Sequence, residues 1–139
     1  MTATTKPAAV YEALMARVAT IDTGLQEGSI AYPEAAETYT PPADGKYLEV
    51  RYFPNSPLFA GLASGKVDQG ILLINVIWPK NVGIAAAMEV VGAIEAHFPP
   101  GHRMTSGAFG VKVSGHPFVV PPLHDADRLR IPVTVPWAA

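Results

Sequence analysis

The residues best suited to chemistry lie late in the 139-residue chain, where Ser114-Gly115-His116 is followed by Asp125. A serine activated by a histidine that a carboxylate orients is the arrangement of a hydrolytic triad. A nucleophile elbow, however, needs glycine two positions before the serine, and Lys112 stands there. Ser114 reads more simply as a turn residue after a strand, because Ser-Gly pairs punctuate loops. No pair of carboxylates in the apolar strands suggests a division of general acid and general base work.

His97, His102, His116 and His124 are the residues with metal-ligating side chains, yet no two of them stand at i, i+4 within a helix. His97 ends a helix, where a cation interacts favourably with the dipole, and the others fall in stretches rich in Gly and Pro. Gly61-Leu62-Ala63-Ser64-Gly65-Lys66 resembles a phosphate-binding loop, but its glycines are one residue too close and Val67 replaces the required Ser or Thr. It also leads into a strand rather than a helix, which favours a flexible hairpin tip. These residues assign no catalytic, cofactor or metal site.

Composition points the same way. Hydrophobic residues make up 49% of the chain and charged ones 16%, against about 25% charged in an ordinary soluble domain. A surface so poor in charge marks places that partners cover, which favours an assembling protein. The formal net charge is −2 and the ten basic residues form no run, which argues against direct, sequence-specific nucleic-acid binding. There is no cysteine, so thiolate chemistry and disulfides are excluded. The apolar stretch Ile71 to Trp78 is interrupted by Asn75 and is far short of the roughly 20 residues that span a bilayer. Glu12 and Arg17 break any secretory h-region, so the expectation is no membrane and no export from the cytoplasm.

The elements that position these residues follow from periodicity. Val10, Leu14, Val18 and Ile21 recur at helical spacing, with Gly24 available to stop the helix. Gly24 to Gly45 is dense in turn residues and holds at most a short strand near Ile30 to Tyr32. Lys46 to Phe53 alternates and is closed by Pro54; Val67 to Trp78 pairs back on it, leaving Pro54 to Lys66 as a wide hairpin tip. Ile84, Ala87, Met88, Val91, Ile94 and Phe98 form a second helix, stopped by Pro99-Pro100-Gly101. Phe109 to Val113 and Leu129 to Val135 alternate as strands. Pro132 and Pro136 cannot donate to a ladder, so the last strand is expected at an edge or bulged. One domain, residues 1–139, is expected. Trp78 continues the Leu72, Ile74, Val76 face and is expected in the core, whereas Trp137 suits either its own domain or a neighbour.

The segment Gln69-Gly70-Ile71-Leu72 through Val76-Ile77-Trp78-Pro79, then Gly83 and Phe98-Pro99-Pro100-Gly101, resembles the phage tail-terminator (tail completion) family of long-tailed bacteriophages. Tyr32-Pro33, Thr40-Pro41-Pro42, Tyr47-Leu48-Glu49-Val50, Phe53-Pro54-Asn55 and Ile131-Pro132-Val133 fit the same pattern, so the likeness runs from about Ile30 onward. The resemblance implies an α+β fold, with a mixed, largely antiparallel sheet and two main helices packed on it. It further implies a ring-forming subunit, a hexamer, that caps the head-proximal end of the virion tail and is assembled in the bacterial host cytoplasm. Its partners would be copies of itself, the tail tube protein and the head-tail connector protein, and it would have no catalytic site.

Within that frame the hairpin tip is the candidate tube-facing loop, with Leu58, Phe59 and Leu62 as apolar contacts and Lys66 and Asp68 as charges at its base. Ile131, Val133 and Trp137 of the supposed edge strand are the candidate subunit-interface residues. Two alternatives compete. One is another neck or head-completion connector protein; the other is a small α/β hydrolase or ligand-binding domain, which would need Ser114, His116 and Asp125 within hydrogen-bond reach.

Overall fold

The computed structural model describes residues 3–34, 37–59, 66–125 and 127–139. Its elements run α1 (Lys6–Val18), β1 (Ile30–Ala31), β2 (Tyr47–Phe59), β3 (Lys66–Pro79), α2 (Ala85–His97), β4 (Arg103–Ser106), β5 (Phe109–Val113), β6 (Phe118–Val119), β7 (Leu123–His124) and β8 (Arg128–Ala138). The strands form one mixed, mostly antiparallel sheet in the order β1-β2-β3-β8-β5-β4, with β6 and β7 also paired to β8. The class is α+β, as expected.

Helix α1 starts at a proline-bearing first turn and ends at Ala19, and Ile21 is buried just beyond it. Its apolar stripe, Val10, Leu14 and Val18, joins Val91, Ile94 and Phe98 of the α2 region in one core with Leu72, Ile74, Val76 and Trp78 of β3. Both helices therefore cover the same sheet face, and β8 adds Leu129, Ile131, Val133, Val135 and Trp137 to that layer. Trp78 is in the core.

The last strand is not an edge. β8 lies at the middle of the sheet, paired with β3 from Gln69↔Ala138 to Pro79↔Arg128. The prolines fit because N–H and C=O of one strand residue point to the same side. The Pro132 carbonyl accepts from Val120 N–H (3.1 Å) and the Pro136 carbonyl from Ser114 N–H (3.0 Å). Their missing donors thus face the short pieces β5, β6 and β7, not the continuous ladder with β3.

Pro54 does not close its strand either. The Leu48 N–H donates to Ser29 O (2.7 Å), so even-numbered residues of β2 turn their backbone groups toward β1 until the bulge between Asn55 and Leu58. The absent Pro54 N–H falls on that side, beyond the two-residue β1, and costs no ladder bond. β1 itself stops after Ala31 because the next rung would need a donor from Pro33, which has none. The expected loop from Pro54 onward is therefore largely strand: Leu58 pairs with Val67 and Phe59 with Lys66. β8 reaches only as far as Gln69 along β3, so this outer part of the hairpin extends past its neighbour as an arm.

Candidate functional site

At the base of the arm the backbone and side chains are knotted together. Asp68 and Ala139 exchange two backbone hydrogen bonds, 3.2 and 2.8 Å. The Lys6 ammonium meets the Asp68 carboxylate at 2.9 Å and donates to the Ala139 carbonyl at 3.4 Å. Lys66 lies 3.9 Å from the other Asp68 oxygen. The Lys6 hydrogen bond, aided by the charges of both lysines, holds the Asp68 carboxyl below its ordinary value. Asp68, foreseen as a contact charge, is thus already engaged in tying α1, β3 and β8 together, while Lys66 lies exposed beside it on β3.

Beside this knot lies a cleft of about 230 Å³, walled by Pro7, Tyr52, Pro54 and Trp137 among others. Tyr52 stacks on Trp137 with ring centroids 5.7 Å apart and planes 5° from parallel, and Tyr11 meets Tyr52 edge-on at 5.3 Å. The indole sits on Gly70, where an added Cβ would stand 2.6 Å from Trp137 Cζ2 and 2.5 Å from the Phe53 carbonyl oxygen. Its Nε1–H is buried with no acceptor among the described residues. The aromatic stack thus fixes the root from which the arm leaves the domain.

The remaining sequence candidates fall as follows. Leu58 and Phe59 lie in the arm by their backbone pairing, and Leu62 is outside the described residues. Ile131, Val133 and Trp137 point their side chains into the chain's own core. Asp125 binds Arg128 (3.5 Å) and Arg130 (3.3 Å), and among the described residues no hydrogen bond joins it to Ser114 or His116. Gly61 to Gly65, the phosphate-loop look-alike, lies outside the described residues except where Lys66 opens β3. Among the described residues no group of three His, Cys, Asp or Glu is placed to hold a metal ion. His97 instead locks the helices together: Arg17 Nε and Nη2 donate to its carbonyl at 3.1 and 2.8 Å. Its own Nε2 lies 2.8 Å from both the Arg17 carbonyl and Thr20 Oγ1.

A surface that periodicity did not single out is the sheet face away from the helices. Phe53, Ile71 and Pro136 lie in one cross-strand row, and Arg51, Leu73, Thr134 and Phe118 in the next. Phe53 is 42% and Phe118 53% exposed. The signal for it was present in Ile71-Leu72-Leu73-Ile74, which is apolar on both strand faces.

The comparisons with known proteins accord with this architecture. No curated protein shows a significant sequence match. A solved chain carrying no functional name is 23% identical, covering 93% of this chain and 92% of its own, with a TM-score of 0.72. A chain from the virion of a native gene transfer agent particle is 16% identical, covers 98% of both chains and has a TM-score of 0.65. These two likenesses establish the fold. The family model described as phage tail terminator protein matches residues 9–137. With that match spanning α2, all of α1 but its first three residues and all but the last residue of β8, the chain belongs to the phage tail terminator family and is a structural protein of the virion tail.

Proposed function

We propose that the chain caps the head-proximal end of the tail tube as a hexameric ring, stops tube polymerisation and offers its other side to the head-tail connector protein. Residues 1–139 act as one domain in this reading, and the protein works by binding rather than by catalysis. Family membership across residues 9–137 is the observation that carries it. The structure adds physical support in the arm formed by the outer parts of β2 and β3, which among the described residues has no further strand paired on either side. An isolated two-stranded ribbon is at best marginally stable in water, so the arm gains from packing on a partner.

The arm is then the tube-facing element, bearing Leu58, Phe59 and Leu62, with Lys66 and Asp68 at its root. Termination requires asymmetry: one side of the ring must match the tube end, while the other must not reproduce a tube-like surface, or the contact would repeat and growth continue. Electron microscopy of particles made without the chain tests the reading. Tails of uncontrolled length, unjoined to heads, are the expected result, and tails of normal length would refute it. Normal-length tails that merely fail to join heads would identify a connector instead.

A further inference from the structure

Resting on that ring reading, we propose that the helix-free sheet face of one subunit is covered by the outward face of α2 from the next copy of this chain. An antiparallel sheet with one face in water normally alternates apolar and polar residues, whereas β3 is apolar on both faces at Ile71 to Ile74. With Phe53 and Phe118 exposed beside Ile71 and Leu73, that face is built to be covered.

The matching surface lies on the opposite, helical layer of the same molecule. Val82 is 61% and Met88 41% exposed, and Ile84 lies exposed between them. Gly92 continues this stripe one turn beyond Met88, and a Cβ added there would meet nothing within 4 Å. Glycine is a poor helix former, and no contact among the described residues requires it there. A bare backbone at that point lets a large ring approach closely, which is what Phe53 and Phe118 supply.

Charge agrees with this pairing. The charged residues that α2 presents are Glu89 and Glu95, neither of which makes an ion pair among the described residues. On the sheet face, Arg51 stands in the row of Leu73 with half its side chain exposed; its Nε is engaged by Glu49 of the same strand at 3.1 Å, while its outer nitrogens have no partner among the described residues. Two different patches on opposite layers give a head-to-tail contact, the kind that closes into a ring when its rotation allows.

The chain has no cysteine, so disulfide trapping reads the contact directly. Met88→Cys and Phe118→Cys, each at an exposed position, are added singly, mixed, or combined in one chain to tails assembled without the protein, then oxidised with diamide. The mixture is expected to give linked dimers, the double variant a ladder of multimers, and each single variant none. Linking within either single variant would mean a two-fold contact and overturn the proposal, as would capped tails of normal length without linking in the mixture. Should the wild-type chain leave tail length unaltered, the capping reading fails instead. Hydrogen exchange on the wild-type protein gives an independent measure: slowed exchange at both 71–73 and 84–92 on assembly is expected, and no slowing at either segment refutes the pairing.

Discussion

His97 and Arg17 close the C-terminal ends of both helices on one another, and the imidazole is drawn into this contact in its neutral form. Burial, with the charges of Arg17 and His102 nearby, holds its pKa below the ordinary 6.5, although the hydrogen bond to the Arg17 carbonyl pulls the other way. A depressed histidine makes the unfolded chain the better proton binder, so stability falls as pH drops through 6.5 toward the lower folded value. Thermal melts at pH 7.5 and 5.5 are expected to show that loss, and His97→Gln to flatten it; an unchanged slope in the variant would assign the effect elsewhere. Asp68 acts in a separate window. Its pKa is lowered below 3.8, so the contribution of its lysine contacts is present above that pH and lost as acid protonates it. At the root of the arm, Gly70→Ala would press a methyl group against the Phe53 carbonyl and the Trp137 ring, costing about 1–3 kcal/mol as overpacking. Chemical denaturation followed by Trp137 fluorescence measures it, and a neutral result would contradict the close approach.

The elements differ in how openly the residues declared them. Both helices were readable because their apolar stripes, Val10-Leu14-Val18 and Ala87-Val91-Ile94, repeat over several turns against one core. β3 was readable from its β-branched run, and β5 and β8 from alternation. β4 escaped notice because Met104 alone of its four residues is buried, which leaves no alternation to see. The prolines misled for one reason throughout. A proline reports that a donor is missing, but which side of the strand it is missing from depends on pairing, and pairing is a property of the whole sheet. Pro54 lost its donor on an open side, and Pro132 and Pro136 lost theirs toward the fragmentary strands. Of the candidate site, the arm was visible as a hairpin, but the helix-free face needed the registers of β2, β3, β6 and β8 to bring Phe53, Leu73 and Phe118 together. The two faces of β3 should separate cleanly under mutation. Leu72→Ala, in the core, is expected to cost about 2–5 kcal/mol of subunit stability. Leu73→Ser is expected to leave the melting of the dilute subunit nearly unchanged while impairing assembly on tails, and equal destabilisation by both would deny β3 its two distinct faces.

At the scale of the molecule, the scarcity of charge and the apolar faces on both layers suit a chain whose working environment is other proteins. If copies associate in solution, association and folding are linked, and the apparent melting temperature rises with protein concentration. Calorimetry over a wide concentration range checks this; a melting temperature independent of concentration would indicate a subunit that does not associate with itself in solution. The central place of β8 has a further consequence, for the order in which the fold comes into being. β3 emerges during synthesis long before its partner strand, which begins at Arg128, so Leu72, Ile74 and Val76 spend that interval without the neighbour that completes their layer. Pairings so far apart in the chain are slow to form and leave apolar edges exposed meanwhile. The yield of this protein in an infected cell is therefore expected to depend on whatever shelters the nascent β2–β3 hairpin until β8 arrives.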